Sequence, residues 1–153
     1  MTLDEFLALG RTVAIGSYSF DAETIKAFAR RYDPQPFHMD EKAAEGSVFG
    51  RLCASGWHTA AAWMKCNVAA SAAVVWQGPG PAPEFGPSPG FSNLKWLKPV
   101  FAGETVSYTR TVTGRRPLAS RPGWHLVSIV ADGTDSTGDK VISFESAVLV
   151  KAE

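Results

Sequence analysis

The sequence predicts a single α+β domain in which an antiparallel sheet wraps around one long helix. Two observations carry the prediction: helical patterning is confined to the first half of the chain, and after Gly90 the texture is strand-like to the end. Length agrees, since 153 residues without an internal repeat make one domain over 1–153 that buries about two thirds of its unfolded surface.

Thr12 to Phe20 alternates weakly and is rich in β-branched and aromatic residues, the pattern of a first strand. Asp21 follows as an N-cap, with Phe20 and Ile25 placed for a hydrophobic staple. Ile25, Phe28, Ala29 and Tyr32 then share one helical face. This helix must stop before Pro34, whose ring disfavours a helical Asp33 and which brings no N–H. Asp40 to Ala44 has room for one or two turns capped by Gly46.

From Gly56 a long helix is expected, with Trp57, Ala61, Met64 and Val68 repeating as an apolar stripe. Ala62, Ala69, Ala70 and Ala72 keep several of its faces small, which suits a sheet curled closely around it. Both Trp57 and Trp63 read as core. Gln77 to Gly90 holds five prolines and four glycines in fourteen residues, so it is expected to be a loop, either a surface connection or a rim over a binding site.

Phe91–Leu97, Thr105–Thr113, Trp124–Ala131 and Lys140–Val150 are the later strands. Val106, Tyr108 and Val112 take one face of the second. Gly114–Gly123 and Asp132–Asp139 read as the connecting loops.

Fifteen basic residues balance fifteen acidic ones, so charge makes no case for nucleic acid or an anionic membrane as partner. The N-terminal residues carry an early acid and no sustained apolar run, and the expected location is cytoplasmic. Cys53 and Cys66 are too few for a disulfide framework, lack zinc-like spacing and are expected to be reduced packing residues. His58 and His125 have no carboxylate at ligand spacing, so no metal is expected.

Arg30 to Thr59 holds the chemistry. Asp33 and His38 lie five residues apart on a segment that Pro34 and Pro36 are expected to keep as a rigid, non-helical loop. Gly56, eighteen residues past His38, falls at a helix start, where free backbone N–H groups receive negative charge. Gln35 is expected to hydrogen-bond within the loop and, with Pro36, to hold the pair. Ser55 is expected to cap the helix or to donate to an oxyanion.

The run Tyr32-Asp33-Pro34-Gln35-Pro36-Phe37-His38, with Phe49-Gly50-Arg51 and Ala54-Ser55-Gly56, resembles the hydratase motif of the MaoC-like (R)-specific enoyl-CoA hydratases. Gln35 stands where Asn is commoner, Phe37 where Leu or Ile is, and Ser55 where His is frequent. Lys95 to Val106, reading KWLKPVFAGETV, is similar to a second block of that family.

The resemblance implies a hot-dog fold and reversible addition of water to a 2-enoyl thioester. Asp33 and His38 would hold the water and move protons, and the Gly56 N–H, beside Ser55, would bind the thioester oxygen. It further implies no cofactor, a CoA or acyl-carrier-protein thioester as substrate, and a homodimer or larger homo-oligomer. Arg51, Lys95, Lys98, Arg115, Arg116 and Arg121 are the basic residues available to CoA phosphates.

Two competing readings keep the fold. A hot-dog thioesterase usually carries a carboxylate on the central helix, and Gly56 to Val75 has none. A non-catalytic acyl-binding subunit would have no use for a paired acid and imidazole.

Overall fold

A computed structural model of the chain describes residues 1–152. In order, the elements are α1 (Leu3–Phe6), β1 (Thr12–Phe20), α2 (Ala22–Tyr32), α3 (Pro36–Met39), α4 (Glu41–Glu45), α5 (Gly56–Ala72), β2 (Glu84–Phe85), β3 (Phe91–Trp96), β4 (Glu104–Pro117), β5 (Trp124–Thr134) and β6 (Lys140–Lys151). The strands form one sheet in the order β1-β4-β5-β6, with β2 and β3 both paired to β6. Every ladder between named strands is antiparallel. The sheet curls around α5, which is the hot-dog arrangement.

The core lies between the concave face of the sheet and α5. Val106, Tyr108 and Val112 on β4 and Val127, Ile129 and Ala131 on β5 are buried, and so are Ala62, Trp63 and Cys66 on the helix. Two polar contacts fix the helix on the sheet: Trp63 donates through Nε1 to the Thr109 carbonyl at 2.9 Å, and the Tyr108 hydroxyl donates to the Thr59 carbonyl at 2.8 Å. Burying a ring with its polar end satisfied keeps the apolar gain and avoids an unpaired group. Gly16 sits at a bulge in β1 with φ of 133°, a backbone conformation that residues with a side chain rarely adopt, and packs at ordinary contact distance beside Cys66.

The long helix turns a different face inward from the one the apolar stripe suggested. Trp57, Ala61, Met64 and Val68 point outward, Trp57 being 50% and Val68 59% exposed, while His58, Thr59, Ala62, Trp63 and Cys66 are buried. Both faces are apolar enough to be core, so periodicity could not choose between them.

Other elements shift at their ends. β4 runs on to Pro117 and β5 to Thr134, which shortens both hairpin connections. Two residues of the Pro/Gly-rich loop, Glu84 and Phe85, pair with Lys151 and Val150. Among the described residues, no helix is long and apolar enough to cross a membrane.

Candidate active site

Asp33 sits where α2 ends. The helix begins on Asp21, whose side chain accepts from the Thr24 N–H at 2.8 Å, and its last bond runs from the Asp33 N–H to the Ala29 carbonyl at 2.9 Å. Pro34 prevents another turn. The next residues depart from the expected loop: Pro36 to Met39 form one helical turn with Pro36 at its first position, where a missing N–H costs nothing. His38 therefore projects from a helical turn.

His38 is 5% exposed, and its Nδ1 donates to the Cys53 carbonyl at 2.6 Å. With Nδ1 committed as donor, a neutral His38 presents the lone pair of Nε2. That nitrogen lies 3.4 Å from Asp33 Oδ2. Gln35 Nε2 donates to the other carboxylate oxygen, Oδ1, at 2.7 Å. Burial acts to raise the Asp33 pKa, but the Gln35 hydrogen bond, the approach of the Ser55 hydroxyl and the field of His38 outweigh it and hold the carboxyl below its ordinary value.

The second sequence block anchors this corner. Ala54 donates to the Val100 carbonyl at 2.8 Å and Ala102 to the Leu52 carbonyl at 3.0 Å, so residues 52–54 are pinned alongside 100–102 just before α5. The same pinning sets the Cys53 carbonyl against His38.

At the start of α5, the Ser55 side chain accepts from the Trp57 N–H at 3.3 Å, an N-cap. The Gly56 N–H makes no hydrogen bond among the described residues. A methyl at Gly56 would collide with the Trp96 indole, which lies flush against the helix start.

Asp33, His38, Gly56, Thr59 and Trp96 line one cleft of about 430 Å3, with Phe37, Val100 and the edge of Trp57 completing its apolar walls. Lys98 is also on the rim, but its ammonium is held by Asp135 at 2.7 Å and Asp139 at 2.9 Å. Those two hydrogen-bonded carboxylates keep its pKa well above the ordinary lysine value. Arg51 is mostly exposed, pairs with Glu104 at 3.6 Å and stacks over Phe101. Arg115 pairs with Asp4 at 3.1 Å.

Trp96 and the Cys53 carbonyl are parts of this site that the sequence did not single out. Trp96 lies inside the Lys95–Val106 block and was legible as a neighbour of it; a backbone carbonyl, which every residue possesses, leaves no signal.

The arrangement can hold a small polar molecule between a carboxylate and an imidazole, facing an unused helix-start N–H. Similar chains are known. One is the uncharacterized protein YdeM of Bacillus subtilis (strain 168), 25% identical over 152 residues and matched over 99% of each chain. Among solved structures, a MaoC-like dehydratase from Rhodospirillum rubrum superposes with a TM-score of 0.81 at 35% identity, covering 97% of this chain and 96% of that one. An (R)-hydratase from A. caviae involved in PHA biosynthesis shares the fold at a TM-score of 0.69 and 24% identity, over 96% of this chain and 98% of that one. With residues 7–124 matching the family model of the MaoC like domain, the chain belongs to the MaoC-like dehydratase family.

Proposed function

We propose that this chain catalyses the reversible addition of water to the double bond of a 2-enoyl thioester, from an enoyl-CoA to an (R)-3-hydroxyacyl-CoA. One observation carries the reading: Asp33 Oδ2 and His38 Nε2 stand 3.4 Å apart in the cleft that also holds the unbonded Gly56 N–H. An ionised Asp33 and an Nδ1-protonated His38 are both acceptors, so one water can direct an O–H at each.

In the proposed step the water oxygen bonds to the β-carbon as the pair takes a proton. The double-bond electrons move onto the thioester oxygen, which accepts from the Gly56 N–H. The enolate then collapses, and its α-carbon takes a proton from the pair. Water is added with no net change in the enzyme, and the reverse sequence dehydrates. A preorganised donor at such an oxyanion is worth on the order of a hundredfold or more in rate. The reaction draws on no cofactor beyond the carrier of the thioester, CoA or acyl-carrier protein. Hydrolysis is disfavoured because α5 has no carboxylate.

The working unit in this reading is a homodimer. Among the described residues β3 pairs only with β6 and leaves its other edge open, and Phe91 and Trp96 on it are exposed together with Trp57, Met64 and Val68 on α5.

The test is loss of the enoyl-thioester absorbance when purified protein meets crotonyl-CoA, beside Asp33→Asn. Wild type should consume the double bond and the variant should not. Full activity in Asp33→Asn would end the site assignment, and appearance of free thiol would point to hydrolysis.

A further inference from the structure

A second large hollow lies toward the opposite end of α5 from the cleft. It measures about 530 Å3, and Phe6, Trp76, Phe85, Val127 and Val148 give it apolar walls. No described residue lines both hollows. From Gly56 to Asn67, which borders the second one, α5 rises about 16 Å.

Arg110 also lines this hollow. It belongs to the inward row of β4, between Tyr108 and Val112, and is only 8% exposed. Its guanidinium carbon lies 4.4 Å from the Phe6 ring centroid, and Nη1 donates to Asn67 Oδ1 at 2.6 Å and Ser71 Oγ at 3.2 Å. Both acceptors are neutral. Among the described residues no carboxylate pairs with Arg110, and its Nε and Nη2 donate no hydrogen bond.

Burial lowers the Arg110 pKa, yet a guanidinium starts so high that it stays charged. A charge buried among apolar walls is costly unless an anion faces it. The unused Nε and Nη2 groups form the edge of the guanidinium that grips a carboxylate through two parallel hydrogen bonds. The volume is that of an ordinary small-molecule pocket.

We propose that this hollow binds an apolar carboxylate, its chain or ring against the aromatic and aliphatic walls and its carboxylate on the Nε and Nη2 edge of Arg110. The site stands independently of the hydration reaction. The carboxylate is carried either by a free acid or by the far end of the acyl chain of a thioester; the chemistry of recognition is the same.

The experiment is calorimetric titration of the full chain with octanoate and with 1-octanol, followed in parallel by fluorescence of Trp63 and Trp76, which line the hollow. Wild type is expected to bind octanoate at least tenfold more tightly than octanol. Arg110→Gln should lose that preference and keep octanol binding. The wild-type preference needs no variant, so a poorly folded Arg110→Gln leaves the test intact. Equal affinity for the two ligands, or binding of neither, overturns the proposal and leaves Arg110 as a partner of the α5 C-terminus alone.

A second arm identifies the source. If Arg110→Gln raises KM at least tenfold for a 2-enoyl-CoA bearing a terminal carboxylate and leaves crotonyl-CoA unchanged, the carboxylate belongs to the acyl chain. If it alters neither KM, the octanoate preference belongs to a free acid. Absence of all hydration would refute the hydratase reading and leave the binding result untouched.

Discussion

Replacing His58 by Gln tests the packing beneath the start of α5 through the pH dependence of stability. The imidazole is 4% exposed, stacks on Phe28 with ring centroids 4.5 Å apart, meets Phe20 edge-on at 4.8 Å and lies 3.2 Å from the Tyr18 hydroxyl through Nε2. Its Nδ1 has no hydrogen-bond partner among the described residues. Burial dominates and pushes its pKa down to about 4, against a smaller upward pull from Asp21.

The unfolded chain therefore takes up a proton near pH 6.5 that the folded chain refuses until about pH 4. The stability this neutral histidine allows is complete above pH 6.5 and is lost as pH falls toward 4. Integrating between those values down to pH 4.5 gives about 2.5 kcal/mol. Gln has no proton to gain, and every other titrating group is common to both proteins. Urea unfolding at pH 7.5 and 4.5 should show the wild type losing about 2.5 kcal/mol more than His58→Gln over that interval. Parallel losses in the two proteins would refute the burial argument.

Three further outcomes are expected. Gly56→Ala keeps the backbone N–H but forces the Trp96 indole off the helix start and so reshapes the cleft wall; kcat/KM should fall at least tenfold while the melting temperature moves little, because Trp96 is 46% exposed; unchanged kcat/KM would show that the seat of Trp96 against Gly56 plays no part in the reaction. Gln35→Ala deletes the 2.7 Å hydrogen bond that helps hold Asp33 ionised, so the acid limb of kcat/KM should move to higher pH, and an unmoved limb would show that Asp33 is not the titrating group. In sedimentation the chain should run as a dimer, and Phe91→Lys, which charges the open edge of β3, should shift it toward monomer; a monomeric wild type with full activity contradicts the assembly.

Local signals located much of this molecule before any fold was in view. β1 spans Thr12–Phe20 as its alternation and flanking Asp21 indicate, and α2 begins on the Asp21 cap and ends before Pro34 for reasons contained within a few residues. The spacing of Asp33 and His38 was equally legible. Their approach was not, because it depends on the Cys53 carbonyl and on pinning by residues 100–102, which are distant in sequence.

The inward face of α5 was hidden for another reason: both of its faces are apolar, and only the curl of the sheet selects Trp63 over Trp57. Arg110 was a gap in an otherwise apolar row, Val106, Tyr108 and Val112, and alternation alone gives a gap no meaning. It acquires one only when the row is seen to line a hollow.

The two free cysteines make the protein its own probe of opening. Cys53 Sγ lies 3.7 Å from His38 Nδ1, and Cys66 is buried under β1. Burial pushes the Cys53 thiol up to about 11 and raises Cys66 as well, so neither supplies much thiolate near neutral pH. A thiol-modifying reagent must wait for the chain to open, and its rate at each cysteine becomes a clock for a different part of the fold. Modification of Cys53 times the loosening of the corner that holds Asp33 and His38, while Cys66 times the separation of the central helix from the first strand.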